Sequence, residues 1–232
     1  MSAFSEQNNS CDSCPNGTSL CSSDEKPIFK YWGGIKSRNM YIGFVLAGMS
    51  CLDKVVFKTD YPWPGTEEWN NLPENDLSAW KQLPCLEDNG FIISESMAIV
   101  RYLARRFGWD AANIEKFGQN EQQIQWTDSL HVILSRAQYT DDRVNAMNEL
   151  FSTNGKIQNM LIGLEKVLTG DSNLYTPGDY CVCAGLNILQ DLEPGCFDSY
   201  PKIKKLYTDV LDMDQVKQFL ETVPGQYFKR SS

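Results

Sequence analysis

Apolar and polar positions along the chain change rhythm twice. Residues 1–26 are rich in Ser, Asn, Cys and Asp with almost no large apolar side chains, which reads as a disordered tail. From Pro27 the apolar residues come in short bursts. IFKYW (28–32) fits a strand and is broken by Gly33-Gly34; RNMYIGFVLAG (38–48) fits a helix ending at Gly48; KVVFK (54–58) fits a second strand. About twenty residues holding Pro62, Pro64, Gly65 and Pro73 follow and read as mostly irregular. CLED (85–88) and FIIS (91–94) then flank Asn89-Gly90, the strongest short hairpin signal. In ESMAIVRYLARRF (95–107), Ile99, Leu103 and Phe107 recur every four residues with Val100 beside them, an amphipathic helix that Gly108 ends.

Beyond Trp109 strand signals largely stop. Segments near 119–138, 142–168, 179–191, 201–211 and 213–222 read as helices, so mixed α/β pattern gives way to all-helical pattern near 108–118. One helix start is sharp. Thr176-Pro177-Gly178-Asp179 matches a capping box with proline at the first helical position. The helix it opens, YCVCAGLNIL, is apolar nearly all round and should be the buried spine of the second half.

Composition narrows the function classes. Hydrophobic residues make up 42% of the 232 residues, enough for a sizeable core. The formal charge of -9 disfavours nucleic-acid and anionic-membrane partners, because an acidic surface repels phosphate. No apolar run approaches the roughly 20 residues that span a bilayer, and the polar N-terminus lacks a signal-peptide core, so a cytoplasmic protein is expected. Eight cysteines occur at irregular spacing; Cys51, Cys85, Cys181 and Cys183 lie in apolar stretches and read as buried thiols. Cys11-x-x-Cys14 with Cys21 sits in the polar tail, far from the strand-then-helix context of a redox motif and without a fourth ligand for zinc, so no metal is expected. The sole histidine, His131, lies beside apolar helix residues and reads as structural, which also argues against a Ser-His-Asp hydrolase. No glycine-rich phosphate loop precedes a helix in the required pattern.

Four features of the first half belong together: Tyr31-Trp32 at the end of the first strand, Gln82-Leu83-Pro84 before the third, Ser94-Glu95-Ser96 opening the last helix, and that helix continuing as Met97-Ala98-Ile99 and Arg101-Tyr102-Leu103. In this order and spacing they resemble the cytosolic glutathione transferase superfamily, tyrosine-type: sigma-like, or mu-, alpha- or pi-like. The resemblance runs over residues 27–107 and more loosely through the capping box at 176–179. It implies an α/β thioredoxin-like N-terminal domain over 27–108, which binds glutathione, and an all-α C-terminal domain over 118–232. It further implies glutathione as co-substrate, a small hydrophobic electrophile as second substrate, and a homodimer.

The site residues follow from the same resemblance. The proline matching Pro84 is cis in the family and turns the backbone of Leu83 toward the peptide ligand; X-Pro is where a fold can place a cis bond at a cost of only about 0.5–1 kcal/mol. Ser96, in a first helical turn where free amides and the dipole favour an anion, would meet the γ-glutamyl carboxylate. Glu95 would meet the ligand's ammonium, together with Asp128, which matches an Asp supplied by a partner's first long helix. Tyr31 is the candidate catalytic residue. A thiol of pKa about 8.5 needs its thiolate stabilised, and a protonated phenol can donate a hydrogen bond to the sulfur.

The chain also departs from the family. Members carry a basic residue after the tyrosine; here the turn is Gly33-Gly34-Ile35-Lys36-Ser37-Arg38, and either Lys36 or Arg38 is available. Members of the sigma and mu type carry Trp followed four residues later by Lys at the ligand's glycine end; here Trp69 is followed by Pro73, and Lys81 is the lysine left to reach the region. The second substrate is expected between the domains, with Tyr139, Tyr227 and Phe228 as candidate walls. Conjugation of glutathione to small electrophiles, or its use in lipid isomerisation, is the expected activity; the alternative is a non-catalytic relative that kept the fold. A thiol–disulfide oxidoreductase would need a cysteine where Tyr31 stands.

Overall fold

The computed structural model describes residues 25–33, 35–74, 76–169, 175–223, 225 and 228–230. The expected tail, with Cys11, Cys14 and Cys21, lies outside the described residues except for Glu25 and Lys26, and so does Tyr227.

Among the described residues, four strands form a mixed sheet: β1 (Ile28–Lys30), β2 (Val56–Lys58), β3 (Cys85–Asp88) and β4 (Phe91–Ser94). They lie in the order β2-β1-β3-β4, with β2 parallel to β1, β3 antiparallel to β1, and β4 antiparallel to β3. β1 is central, so both its faces are covered: Phe29 is buried on one side and Lys30 on the other. β1 and β2 are shorter than their apolar runs. Tyr31 still follows the sheet, its amide donating to the Lys58 carbonyl at 3.0 Å, while Leu52–Lys54 is taken up by a 3-10 turn.

The helices follow in chain order: α1 (Asn39–Gly48), α2 (Glu67–Asn70), α3 (Ser96–Arg106), α4 (Ile114–Gln138), α5 (Arg143–Leu150), α6 (Lys156–Val167), α7 (Pro177–Leu192), α8 (Pro201–Leu211) and α9 (Asp214–Glu221). Every residue of α1 from Asn39 to Ala47 is buried, because α3, α7 and α9 all pack on it. α9 comes close enough that a Cβ on Gly43 would fall 1.9 Å from the Phe219 ring. α1 thus joins the sheet to the helical half, and one core runs through both.

The segment after β2 is mostly irregular, as expected, with one helical turn in it: the Thr66 side chain accepts from the Trp69 amide at 3.2 Å and caps α2. One expectation changes. The helix expected over 142–168 is two helices, α5 and α6. Asn154 takes a left-handed φ of 62°, and the Gly155 backbone sits so close to the Leu150 and Ser152 carbonyls that no side chain fits.

The capping box at α7 is present in full. The Thr176 hydroxyl accepts from the Asp179 amide at 3.2 Å, and the Asp179 carboxylate accepts from the Thr176 amide at 2.8 Å. Asn120 of α4 accepts from the next free amide, Gly178, at 2.8 Å. α7 is buried on nearly every side, as its composition requires, and packs on α1, α4 and α8. Cys51, Cys85, Cys181 and Cys183 are buried free thiols, and Cys196 is half-buried and free. No helix among the described residues is long and apolar enough to cross a membrane. Thr176→Ala should lower stability by about 0.5–2 kcal/mol, the usual worth of a helix cap, in urea denaturation, with turnover per folded molecule unchanged.

Candidate functional site

The turn at Asn89-Gly90 pairs Asp88 with Phe91, and the ladder then runs back to Cys85 opposite Ser94. Gln82-Leu83-Pro84 and Glu95-Ser96 therefore leave the hairpin side by side. Gln82 Nε2 donates to Glu95 Oε1 at 2.6 Å. The Leu83–Pro84 bond is cis. Lys81 and Glu95, on either side of the hairpin stem, both hold positive φ, at 47° and 71°. Such non-glycine backbone costs energy and persists where its surroundings hold it firmly, as at ligand sites.

Ser96 is the first residue of α3 and is buried. Its hydroxyl accepts from Arg38 Nη1 at 2.8 Å, and the same guanidinium group lies 3.5 Å from Asp128 on α4. The two basic residues of the 33–38 turn thus part company. Arg38 joins the site, whereas Lys36 pairs with Asp191 of α7 at 2.9 Å, and its amide donates to the Gly225 carbonyl. Asp128, matched by resemblance to a residue acting across a dimer, here faces Arg38 of its own chain.

Tyr31 lies at the entrance of α1 and is 2% exposed. Burial pushes its phenol above the ordinary value, while the Ser37 side chain, the Arg38 amide and the Arg38 charge pull the other way. The ring therefore stays protonated at neutral pH, with its oxygen held by the first residues of the α1 turn. Beneath it, Tyr41 and His131 are bonded at 2.7 Å in a buried layer, and Phe228 packs edge-on against His131 with ring centroids 5.3 Å apart.

Trp69 and Lys81 do come together: with Leu72, Pro73, Glu74 and Leu77 they line a small polar cavity of about 90 Å³. Next to it three tryptophans cluster. Trp32 stacks on Trp63 at 5.0 Å and meets Trp69 at 6.4 Å, and its indole N–H donates to the Pro62 carbonyl at 3.0 Å. A larger, mainly apolar cavity of about 290 Å³ opens between the halves, walled by Trp32, Ile35 and Phe57 on one side and Phe219 and Val223 on the other. Of the side chains expected to wall a second-substrate cleft, Tyr139 stands exposed at the end of α4 and near enough to Tyr31 to raise its phenol, and Phe228 is buried against His131; neither lines this cavity. Among the described residues no cluster of three or more His, Cys, Asp or Glu could hold a metal ion.

Comparison with known proteins assigns the architecture. Residues 29–105 match the family model for the glutathione S-transferase N-terminal domain, and residues 127–223 match that for the C-terminal domain. A glutathione S-transferase 2 of Onchocerca volvulus is 27% identical over 179 residues, covering 66% of this chain and 78% of the relative. A Pi-class glutathione S-transferase structure from the same organism superposes with a TM-score of 0.72 at 21% identity, covering 85% of this chain and 93% of that one. Prostaglandin synthase D of Nilaparvata lugens shares the fold with a TM-score of 0.68 at 18% identity, over 86% and 100% of the two chains. The chain belongs to the cytosolic glutathione S-transferase superfamily, with its thioredoxin-like first half and helical second half.

The layer beneath the site has a pH signature. Burial, and then the Arg38 charge, push the His131 imidazole from 6.5 down to about 3. Between those values the unfolded chain binds a proton here that the folded chain refuses. This contribution to stability is complete above 6.5 and is lost as pH falls toward 3. The melting temperature should therefore drop on acidification from pH 7 to 5. His131→Gln, which does not titrate, should drop less steeply; parallel curves would assign the slope to other groups.

Proposed function

We propose that this chain is a glutathione transferase that joins glutathione to small hydrophobic electrophiles, or uses it in lipid isomerisation, through a thiolate stabilised by Tyr31. The observation that carries the reading is the convergence of Tyr31, Arg38, Gln82-Leu83-Pro84 and Glu95-Ser96 at the mouths of α1 and α3. The N-terminus of α3 with Ser96 and Arg38 receives the γ-glutamyl carboxylate, since free amides, dipole and guanidinium all favour an anion there. Glu95 takes the ammonium, joined in the dimer by Asp128 of the partner subunit. The Leu83 main chain, beside cis Pro84, pairs with the cysteinyl backbone. Lys81 and the Trp69 cavity hold the glycine end. The second substrate enters the 290 Å³ cavity beside Trp32.

The Tyr31 oxygen accepts from the α1 turn and keeps its own proton to donate to sulfur. The thiol proton leaves to water, and the thiolate forms the new carbon–sulfur bond as the leaving group departs. Buried free thiols suit a cytoplasmic protein. Exposed Trp80, at 67%, and Phe91, at 53%, give the first half an apolar edge for the family's homodimer. A second reading, a non-catalytic structural or ligand-binding relative that kept the fold, draws on the 2% exposure of Tyr31 and on proline at position 73.

Tyr31→Phe separates the two. Hydrogen bonds to charged groups are worth about 1.5–3 kcal/mol, so the pKa of bound glutathione thiol should rise by roughly one to two units. Turnover near neutral pH should fall on the order of ten- to a hundredfold with glutathione affinity little changed. Thiolate absorbance titrated against pH reads this directly; overlaid curves would leave Tyr31 as a packing residue, and no thiolate in wild type would favour the second reading. In sedimentation equilibrium at micromolar concentration the chain should run as a dimer, and a monomer would remove the dimer from the proposal.

A further inference from the structure

Lys30 is the residue the glutathione reading leaves unused. It sits on the central strand immediately before Tyr31, with its side chain only 4% exposed. Its ammonium donates to the Asp76 carbonyl at 2.7 Å, to Asp76 Oδ1 at 3.0 Å, and pairs with Glu87 at 2.9 Å. Tyr61 donates to the same Asp76 oxygen at 3.2 Å. In the ladder, the residue opposite Lys30 is Cys85. One residue therefore holds both ends of the segment from Asp76 to Cys85, through its side chain at the start and its backbone pairing at the end. That segment carries Lys81, Gln82, Leu83 and cis Pro84.

We infer that Lys30 is a positioning residue for glutathione binding, acting through Asp76 to hold the segment that presents Lys81, Gln82 and Leu83 to the peptide. This rests on the glutathione reading of the site and adds a residue to it that touches no ligand. Bulk stability is a poor account of the cluster. Taking an ammonium out of water onto a central strand is costly, and an apolar side chain of similar volume would serve the sheet as well or better. The ion cluster supplies direction instead: three acceptor atoms around one ammonium fix where the Asp76 turn sits over the sheet, five residues before a backbone position held at positive φ. The charges are firmly held. Burial works against the Lys30 ammonium, but bonds to Glu87 and Asp76 outweigh it and raise its basicity; burial likewise opposes the Asp76 carboxylate, and bonds from Lys30 and Tyr61 keep its pKa below the ordinary range.

The test compares Lys30→Met, Lys30→Arg and Asp76→Asn with wild type, using full-length protein and reduced glutathione. Calorimetry gives the glutathione Kd, steady-state kinetics separate KM for glutathione from kcat, and hydrogen exchange follows amides 77–83. Lys30→Met and Asp76→Asn should raise Kd and KM for glutathione at least tenfold, with kcat at saturating glutathione within about threefold and faster exchange confined to 77–83. Lys30→Arg should recover most of the affinity. Folded Lys30→Met with wild-type Kd overturns the inference; should that variant fail to fold, wild-type Kd in Asp76→Asn overturns it equally. A wild type that binds no glutathione is a distinct result and overturns the reading on which the inference rests.

Discussion

A two-residue turn decides where the candidate site is. Asn89-Gly90 closes the hairpin so that Cys85 lies opposite Ser94. Slipping that register by one residue would turn Leu86 out of the core and separate Gln82 from Glu95. Everything else in the site is hung on this pairing: the cis peptide before β3, the start of α3 after β4, and the strand beside β3 that leads into Tyr31. The helical half contributes by covering α1, whose mouth supplies Ser37 and Arg38.

In this net acidic protein the electrostatics of the α3 start turn on one cation, Arg38. Arg38 spans from Ser96 to Asp128 and thereby links α3 with the long α4. Its charge also helps keep His131 neutral in the layer beneath. A ligand carboxylate at the α3 N-terminus would share that guanidinium with Asp128, so anion binding and the contact between the two halves of the chain act on the same group.

Much of this was legible in the residues themselves. The NG hairpin, the four-residue spacing of Ile99, Leu103 and Phe107, and the Thr176–Asp179 box each rest on local chemistry, and each stands as read. What escaped reading depended on distant partners. The break between α5 and α6 was written in Asn154-Gly155 but was masked by the helical spacing on both sides. Lys36 and Arg38 look equivalent in the turn; only the positions of Asp191, Ser96 and Asp128 tell them apart. Lys30 inside an apolar strand was a visible oddity, since a buried lysine must find anions, yet Asp76 lies 46 positions away. An aromatic such as Phe228 suits a cleft wall or a core equally in sequence, and only its contact with His131 places it in the interior.

The free cysteines carry a consequence for the protein's working life. A molecule that meets electrophiles risks being alkylated by them, and thiols are the usual target. Here Cys85 and Cys181 are enclosed, and burial pushes the Cys85 thiol up to about 11 and that of Cys181 higher still. The half-buried Cys196 is pushed by burial to about 11 as well. Held as thiols at neutral pH, these three sulfurs are poor nucleophiles, so a reactive compound that arrives finds little in them to modify.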